Sequence, residues 1–125
     1  MKDMNFTHVT DLDDLDFMGL VSHYKWVQLF ERYRTKYLDK EYMKLTQENL
    51  GLVVRKINLH YHKPAKFRDL VVFECKIKNI KNASFAVEQK AISKDNSLYV
   101  TAEIEFACID KELKPTKIPQ YLKDR

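Results

Sequence analysis

The chain has little glycine, proline or cysteine: two, three and two residues respectively in 125. So few breakers exclude a linker-rich architecture and argue for one compact, regular domain over residues 1–125. Cys75 and Cys108 stand alone in alternating apolar segments, which excludes a disulfide framework and reads as two small buried hydrophobes of a cytoplasmic protein. No apolar run approaches membrane-spanning length, and Met1 to Thr10 lack the apolar core of a secretion signal. Membrane insertion is not expected. Charge of one sign is also scarce, since 22 Lys and Arg against 18 Asp and Glu leave only +4 without a basic tail. Nucleic acid is therefore not an expected partner, whereas an anionic small ligand needs only a few well-placed cations.

What is present is apolar residues in two distinct periods. After a weak first strand around Phe6, His8 and Val9, and an acidic loop from Asp11 to Asp16, Ser22 is a plausible N-cap. Trp26, Leu29, Phe30, Tyr33 and Tyr37 then recur at spacings of three and four, which predicts a long helix to about Asp39 with one apolar stripe. A second helix is expected around Tyr42 to Asn49, closed by Gly51.

From Leu52 the period changes to two. Val53, Ile57, Leu59 and Tyr61 are expected on one face of a half-buried strand, with Lys56, Asn58, His60 and His62 opposite. Val71, Phe73, Cys75 and Ile77 predict a second such strand, Phe85, Val87, Gln89 and Ala91 a third, and Leu98 through Cys108 a fourth. Turns fall at Lys81 to Ser84 and Asp95 to Ser97, and Lys114 to Arg125 reads as a polar tail. One striped helix and one sheet with a dry face cover each other most simply, which makes the fold class α+β.

The chemistry-bearing stretch is Asp16-Phe17-Met18-Gly19-Leu20-Val21-Ser22-His23. It sets a carboxylate and an imidazole beside a helix N-terminus, whose unpaired N–H groups suit a developing oxyanion. Such a site can hydrolyse an ester or thioester. The alternative reading of Asp16 is a solvated carboxylate among Asp11, Asp13 and Asp14.

Asp16, Gly19, Val21 and His23, followed by Phe30-Glu31-Arg32 with Arg34, then Val53-Val54-Arg55-Lys56, Tyr61 and Pro64-Ala65, resemble the hotdog-fold thioesterases. The resemblance is to the 4-hydroxybenzoyl-CoA and short-chain acyl-CoA thioesterase group, with its bacterial Tol-Pal-associated members, and covers nearly the whole chain. It implies a five-stranded antiparallel sheet wrapped around one long helix, and a homodimer or dimer of dimers joined through a continuous sheet with active sites at the dimer interface. It also implies Asp16 as the catalytic carboxylate, acting as nucleophile or as general base. His23 takes a supporting catalytic part, the backbone around Gly19, His23 and Tyr24 supports the oxyanion, and Gly19 allows close approach of the chain. Leu15 and Leu12 depart from the group, standing where threonine or cysteine, and tyrosine, are usual; Leu20 and Trp26 alter the pocket.

The expected substrate is an acyl-CoA, or the same acyl group on a carrier protein, with coenzyme A as part of the substrate and no separate cofactor or metal. A binding module that does not turn over its thioester is the rival from another class. Trp26 and Phe30 are candidate acyl contacts, and Lys63, Lys66, Lys81 and Ser84 are candidate contacts for the carrier, with Lys94 also at a strand end where a phosphate could lie. Glu31 is expected in a structural ion pair with Arg32 or Arg34. The His60 and His62 pair lacks an evident third metal ligand.

Overall fold

A computed structural model describes residues 4–125; the first three residues of the expected domain lie outside the described residues. Strand β1 (Met4–Val9) leads through a 3-10 turn (Leu12–Asp14) to helices α1 (His23–Tyr37) and α2 (Asp39–Gln47). Strands β2 (Gly51–Tyr61), β3 (Leu70–Lys78), β4 (Ser84–Ser93) and β5 (Leu98–Ile109) follow, and a short helix α3 (Gln120–Lys123) closes the chain. All pairings are antiparallel, in the order β1-β3-β4-β5-β2. The sheet curls around α1, so the α+β hotdog architecture is the one observed.

Helix α1 forms where its stripe and cap agree. The Ser22 Oγ accepts the Lys25 N–H, and Trp26, Leu29, Phe30, Tyr33 and Tyr37 all turn inward. The Phe73 ring meets Trp26, Phe30 and Tyr33, stacked on Tyr33 at 4.7 Å and edge-on to Phe30 at 5.4 Å. From β4, the buried Gln89 Nε2 donates to the Phe30 carbonyl at 3.0 Å and ties the helix to the sheet. Val71, Phe73, Cys75 and Ile77 are buried as their alternation predicts, as is Cys108. Burial pushes the Cys75 thiol up to about 12, so it behaves as a hydrophobe.

Four local expectations need correction. The second helix starts at Asp39, directly after the buried Leu38, and Asn49 closes it in place of Gly51. Asn49 takes φ of 58° while the Leu50 N–H reaches back to the Leu45 carbonyl at 2.9 Å, the closure a left-handed residue permits. In β2, the pairing passes from Val54 opposite Phe106 to Lys56 opposite Glu105, leaving Arg55 as a bulge. One extra residue reverses the faces, so Val53 lies opposite Ala107 on the outer side while Ile57 lies opposite Ile104 on the core side.

Nor is β2 half-buried. It is the sheet edge, and Val53, Val54, Ile57 and Tyr61 are all exposed in the single chain. Finally, the segment from Lys114 is no loose tail. Thr116 and Ile118 donate backbone bonds to Cys108 and Asn82, and Ile118 and Leu122, four residues apart, are buried. Arg125 lies over the Tyr37 ring at 4.3 Å and within 3.7 Å of Glu41. Two apolar anchors in a polar segment suffice to dock it.

Candidate functional site

The loop before α1 is built around the Asp16 carboxylate. Its Oδ1 accepts the N–H of Met18 at 2.9 Å and of Leu20 at 3.3 Å. The Asp16 N–H donates to the Leu20 carbonyl at 2.8 Å, and the Gly19 N–H to the Asp16 carbonyl at 3.0 Å. This tight turn needs Gly19 at φ of +77°. A Cβ there would meet nothing within 4 Å, so in the single chain the glycine serves a left-handed turn and not the close approach that the resemblance implies.

The turn delivers the chain to α1 with the helix end open. Lys25 and Trp26 donate to the Ser22 carbonyl, whereas the N–H groups of His23 and Tyr24 precede the first intrahelical acceptor. Of the two, His23 lines the same cleft as Asp16. The Val21 N–H donates to the Ala65 carbonyl at 2.9 Å and Leu20 bridges Lys66, which stitches the β2–β3 connection to the loop. Asp16, Leu20, Val21, His23 and Trp26 thereby face Tyr61, His62, Lys63 and Pro64 across a cleft of about 340 Å³.

Asp14, which the sequence offers only as one of several loop acids, is buried and organises this corner. Its Oδ2 accepts the Asp11 N–H at 2.8 Å and contacts His8 Nε2 at 2.9 Å, its Oδ1 lies 3.7 Å from Lys25 Nζ, and its carbonyl accepts the Ser22 N–H. Burial alone would raise its pKa, but the Asp11 N–H, His8 and Lys25 together hold it below the usual carboxylate range. The Tyr33 hydroxyl lies 3.4 Å from the His8 Nδ1, extending the network into the core.

The other predicted residues separate. Trp26 lines the cleft, but Phe30 does not, being packed against Phe73 and Trp26 one turn deeper. Tyr24 is exposed and does not line the cleft. Lys63 stands at the cleft mouth, its ammonium held by Ser93, Ser97, Asp95 and the Tyr99 ring. Lys66 and Lys94 lie in an adjoining groove that shares Lys63 and Pro64 with the cleft.

Lys81 and Ser84 stand elsewhere in the chain. Lys81 lies in the turn before ten-residue β4 and Ser84 at its start, while its far end holds the Ser93 beside Lys63, a strand length of about 30 Å away. Ser84 is moreover buried. The Glu31 ion pair is absent among the described residues: Glu31 is exposed while Arg34 turns inward, 5.6 Å from the Phe106 ring centre. No group of three metal-ligating side chains occurs among the described residues.

Tyr61 and His62 were missed as site residues. Tyr61 entered the sequence reading only among the residues that carry the resemblance and His62 only in a histidine pair, and nothing local says that this strand end abuts the Asp16 turn.

The Asp16 carboxylate, fixed in the turn before α1, shares its cleft with Trp26 and Tyr61. Residues 10–125 match the model of the thioesterase-like superfamily, and the chain belongs to that family. Among particular relatives, it is 30% identical to the acyl-CoA thioester hydrolase YbgC of Escherichia coli over 114 residues, covering 88% of this chain and 85% of that one. It is 29% identical over 116 residues to the acyl-CoA thioesterase YbgC of Haemophilus influenzae, covering 89% and 85% respectively. A probable thioesterase from Bartonella henselae has the same fold, with a TM-score of 0.83 at 29% identity over 94% of this chain and all of the other. No helix among the described residues is long and apolar enough to cross a membrane.

Proposed function

We propose that this chain hydrolyses an acyl-CoA thioester to the free acid and coenzyme A, with Asp16 as the reacting carboxylate. The observation that carries the reading is the Asp16 turn itself. Oδ1 is held by two backbone donors, which keeps the carboxylate oriented at the cleft that His23, the first residue of α1, also lines.

The thioester carbonyl carbon is attacked either by Asp16, giving an acyl anhydride that water then opens, or by a water whose proton Asp16 removes. In both routes the carbonyl oxygen gains charge, and the helix-start N–H groups receive it. Collapse expels the coenzyme A thiolate, which takes up a proton. The scheme draws on these groups and water, with coenzyme A as part of the substrate. The His23 side chain lines the same cleft and supports the proton movements.

The exposed edge of β2, with Val54, Ile57 and Tyr61 uncovered, supports a homodimer formed by continuing the sheet. The unpaired cysteines Cys75 and Cys108 support a reducing, cytoplasmic setting. A panel of aliphatic and aromatic acyl-CoAs, assayed with wild type and Asp16→Asn, tests the reading. Loss of roughly a hundredfold or more is expected for Asp16→Asn. Equal turnover by both proteins sinks the role of Asp16, and ligand-induced thermal stabilisation without hydrolysis by either would make the chain a binding module.

A further inference from the structure

One shielded cluster takes no part in the proposed chemistry. His8, on β1 opposite Val71 of β3, reaches the buried Asp14 carboxylate at 2.9 Å. Facing a carboxylate oxygen, its Nε2 carries a hydrogen and donates it, while Nδ1 turns to the Tyr33 hydroxyl at 3.4 Å. The ring is held from both sides. Tyr33, whose hydroxyl also reaches the Thr7 carbonyl at 3.4 Å, stacks on Phe6 at 5.4 Å, so the imidazole is tied to the sheet and to α1 together.

Asp14 carries that tie to the Asp16 turn. Leu15 bridges Val21, Asp16 donates to Leu20, and the Asp14 carbonyl accepts the Ser22 N–H at 3.1 Å, which makes Asp14 and Ser22 the mouth of a small hairpin. Asp16 stands at its tip. Ser22 is also the N-cap of α1, and Lys25 in the first turn lies 3.7 Å from Asp14 Oδ1, so the same carboxylate holds the helix start. Among the described residues, the Asp14 partners Asp11, Ser22 and Lys25 belong to the loop and to the helix it enters. His8 alone belongs to the sheet. The opposite arm of the hairpin has its own support, the Val21 bond to the Ala65 carbonyl.

We propose that His8 is a positioning residue for hydrolysis: through Asp14 it fixes the Asp16 carboxylate against the start of α1, although it does not itself line the cleft. This rests on the thioesterase reading and adds to it a residue of β1 that touches no reacting atom. A displacement of about 1 Å at a reacting group can cost roughly a hundredfold in rate. The cleft walls Trp26, Tyr61 and Pro64 have no contact with His8, so substrate binding is left alone and the loss falls on kcat.

Steady-state hydrolysis of acyl-CoA, measured at a temperature where each variant is folded, tests the assignment. His8→Leu, which keeps bulk without the donor, and the smaller His8→Ala should each lower kcat about tenfold while KM stays within about twofold. In His8→Gln a side-chain N–H can again reach Asp14, and kcat should return to within about threefold of wild type. Leu122→Ala, a core truncation in the C-terminal segment away from the cleft, controls for lost stability and should keep kcat near wild type. Wild-type kcat without the donor, no recovery in His8→Gln, or an equal loss in Leu122→Ala overturns the proposal and leaves the thioesterase reading intact. If wild type hydrolyses no acyl-CoA, that reading fails, and amide hydrogen exchange then decides the positioning. Faster exchange confined to the Gly19, Leu20 and Ser22 N–H groups in His8→Leu, reversed in His8→Gln, supports it; unchanged exchange, or faster exchange along the whole chain, overturns it.

Discussion

Removing the Asp14 carboxylate charge should loosen the corner that presents Asp16, by an amount the geometry bounds. Asp14 is 4% exposed, and its side-chain partners His8 and Lys25 are about 15% exposed, so water screens these contacts poorly. Asp14→Asn keeps an acceptor for the Asp11 N–H but gives up the charge that faces His8 at 2.9 Å and Lys25 at 3.7 Å. A hydrogen bond to a charged group contributes about 1.5–3 kcal/mol, which sets the expected loss for Asn. Asp14→Ala removes the same charge and also orphans the Asp11 N–H, and should cost about 3–5 kcal/mol.

Urea unfolding monitored by fluorescence, with a cycle through His8→Ala, measures both the loss and the coupling. A coupling of about 1 kcal/mol or more is expected. Since the folded pKa of Asp14 is depressed, its contribution is present above the unfolded value near pH 4 and is lost as pH falls through the folded one. The Asn variant should therefore show a shallower acid limb. A cost below about 0.5 kcal/mol with no coupling to His8 would refute the reasoning and return Asp14 to the status of a surface acid.

Gly19→Ala should cost about 1–2 kcal/mol because of its φ of +77° and not because of crowding, so Gly19→Asn should be milder; equal losses by thermal unfolding would point to a steric cause. His23→Ala keeps its backbone donor and should lose less than about tenfold in kcat, far less than Asp16→Asn; the reverse order would move the chemistry to the imidazole. Phe73→Ala empties the centre of the aromatic cluster and should lower stability by about 3–5 kcal/mol, and a loss under about 1.5 kcal/mol in denaturant would contradict the packing.

Local periodicity carried far in this chain where one face is uniformly dry. The α1 stripe and the β3 alternation each point to a single buried surface, so Trp26 to Tyr37 and Val71 to Ile77 were legible. It failed where an interaction distant in sequence intervenes. The Arg55 bulge exists only against the Phe106–Glu105 partner segment, so counting by twos put Val53 on the wrong face. The segment from Lys114 reads as a polar tail, and it is the Cys108 and Asn82 carbonyls, distant in sequence, that accept from Thr116 and Ile118 and dock it.

The candidate site divides along the same line. From Asp16 to His23 the sequence by itself determined a carboxylate and a capped helix start, because caps are made by residues within a few positions of one another, whereas the left-handed role of Gly19 appeared only in the structure. Only the tertiary structure decided that Tyr61 and His62 line the cleft, that Asp14 is an interior anchor, that Phe30 is core, and that within one chain Lys63 and Lys66 stand near Asp16 while Lys81 and Ser84 lie at the other end of β4. Which strand ends share an end of a sheet depends on pairing order, and that order is decided by burial across the whole chain rather than by any local run.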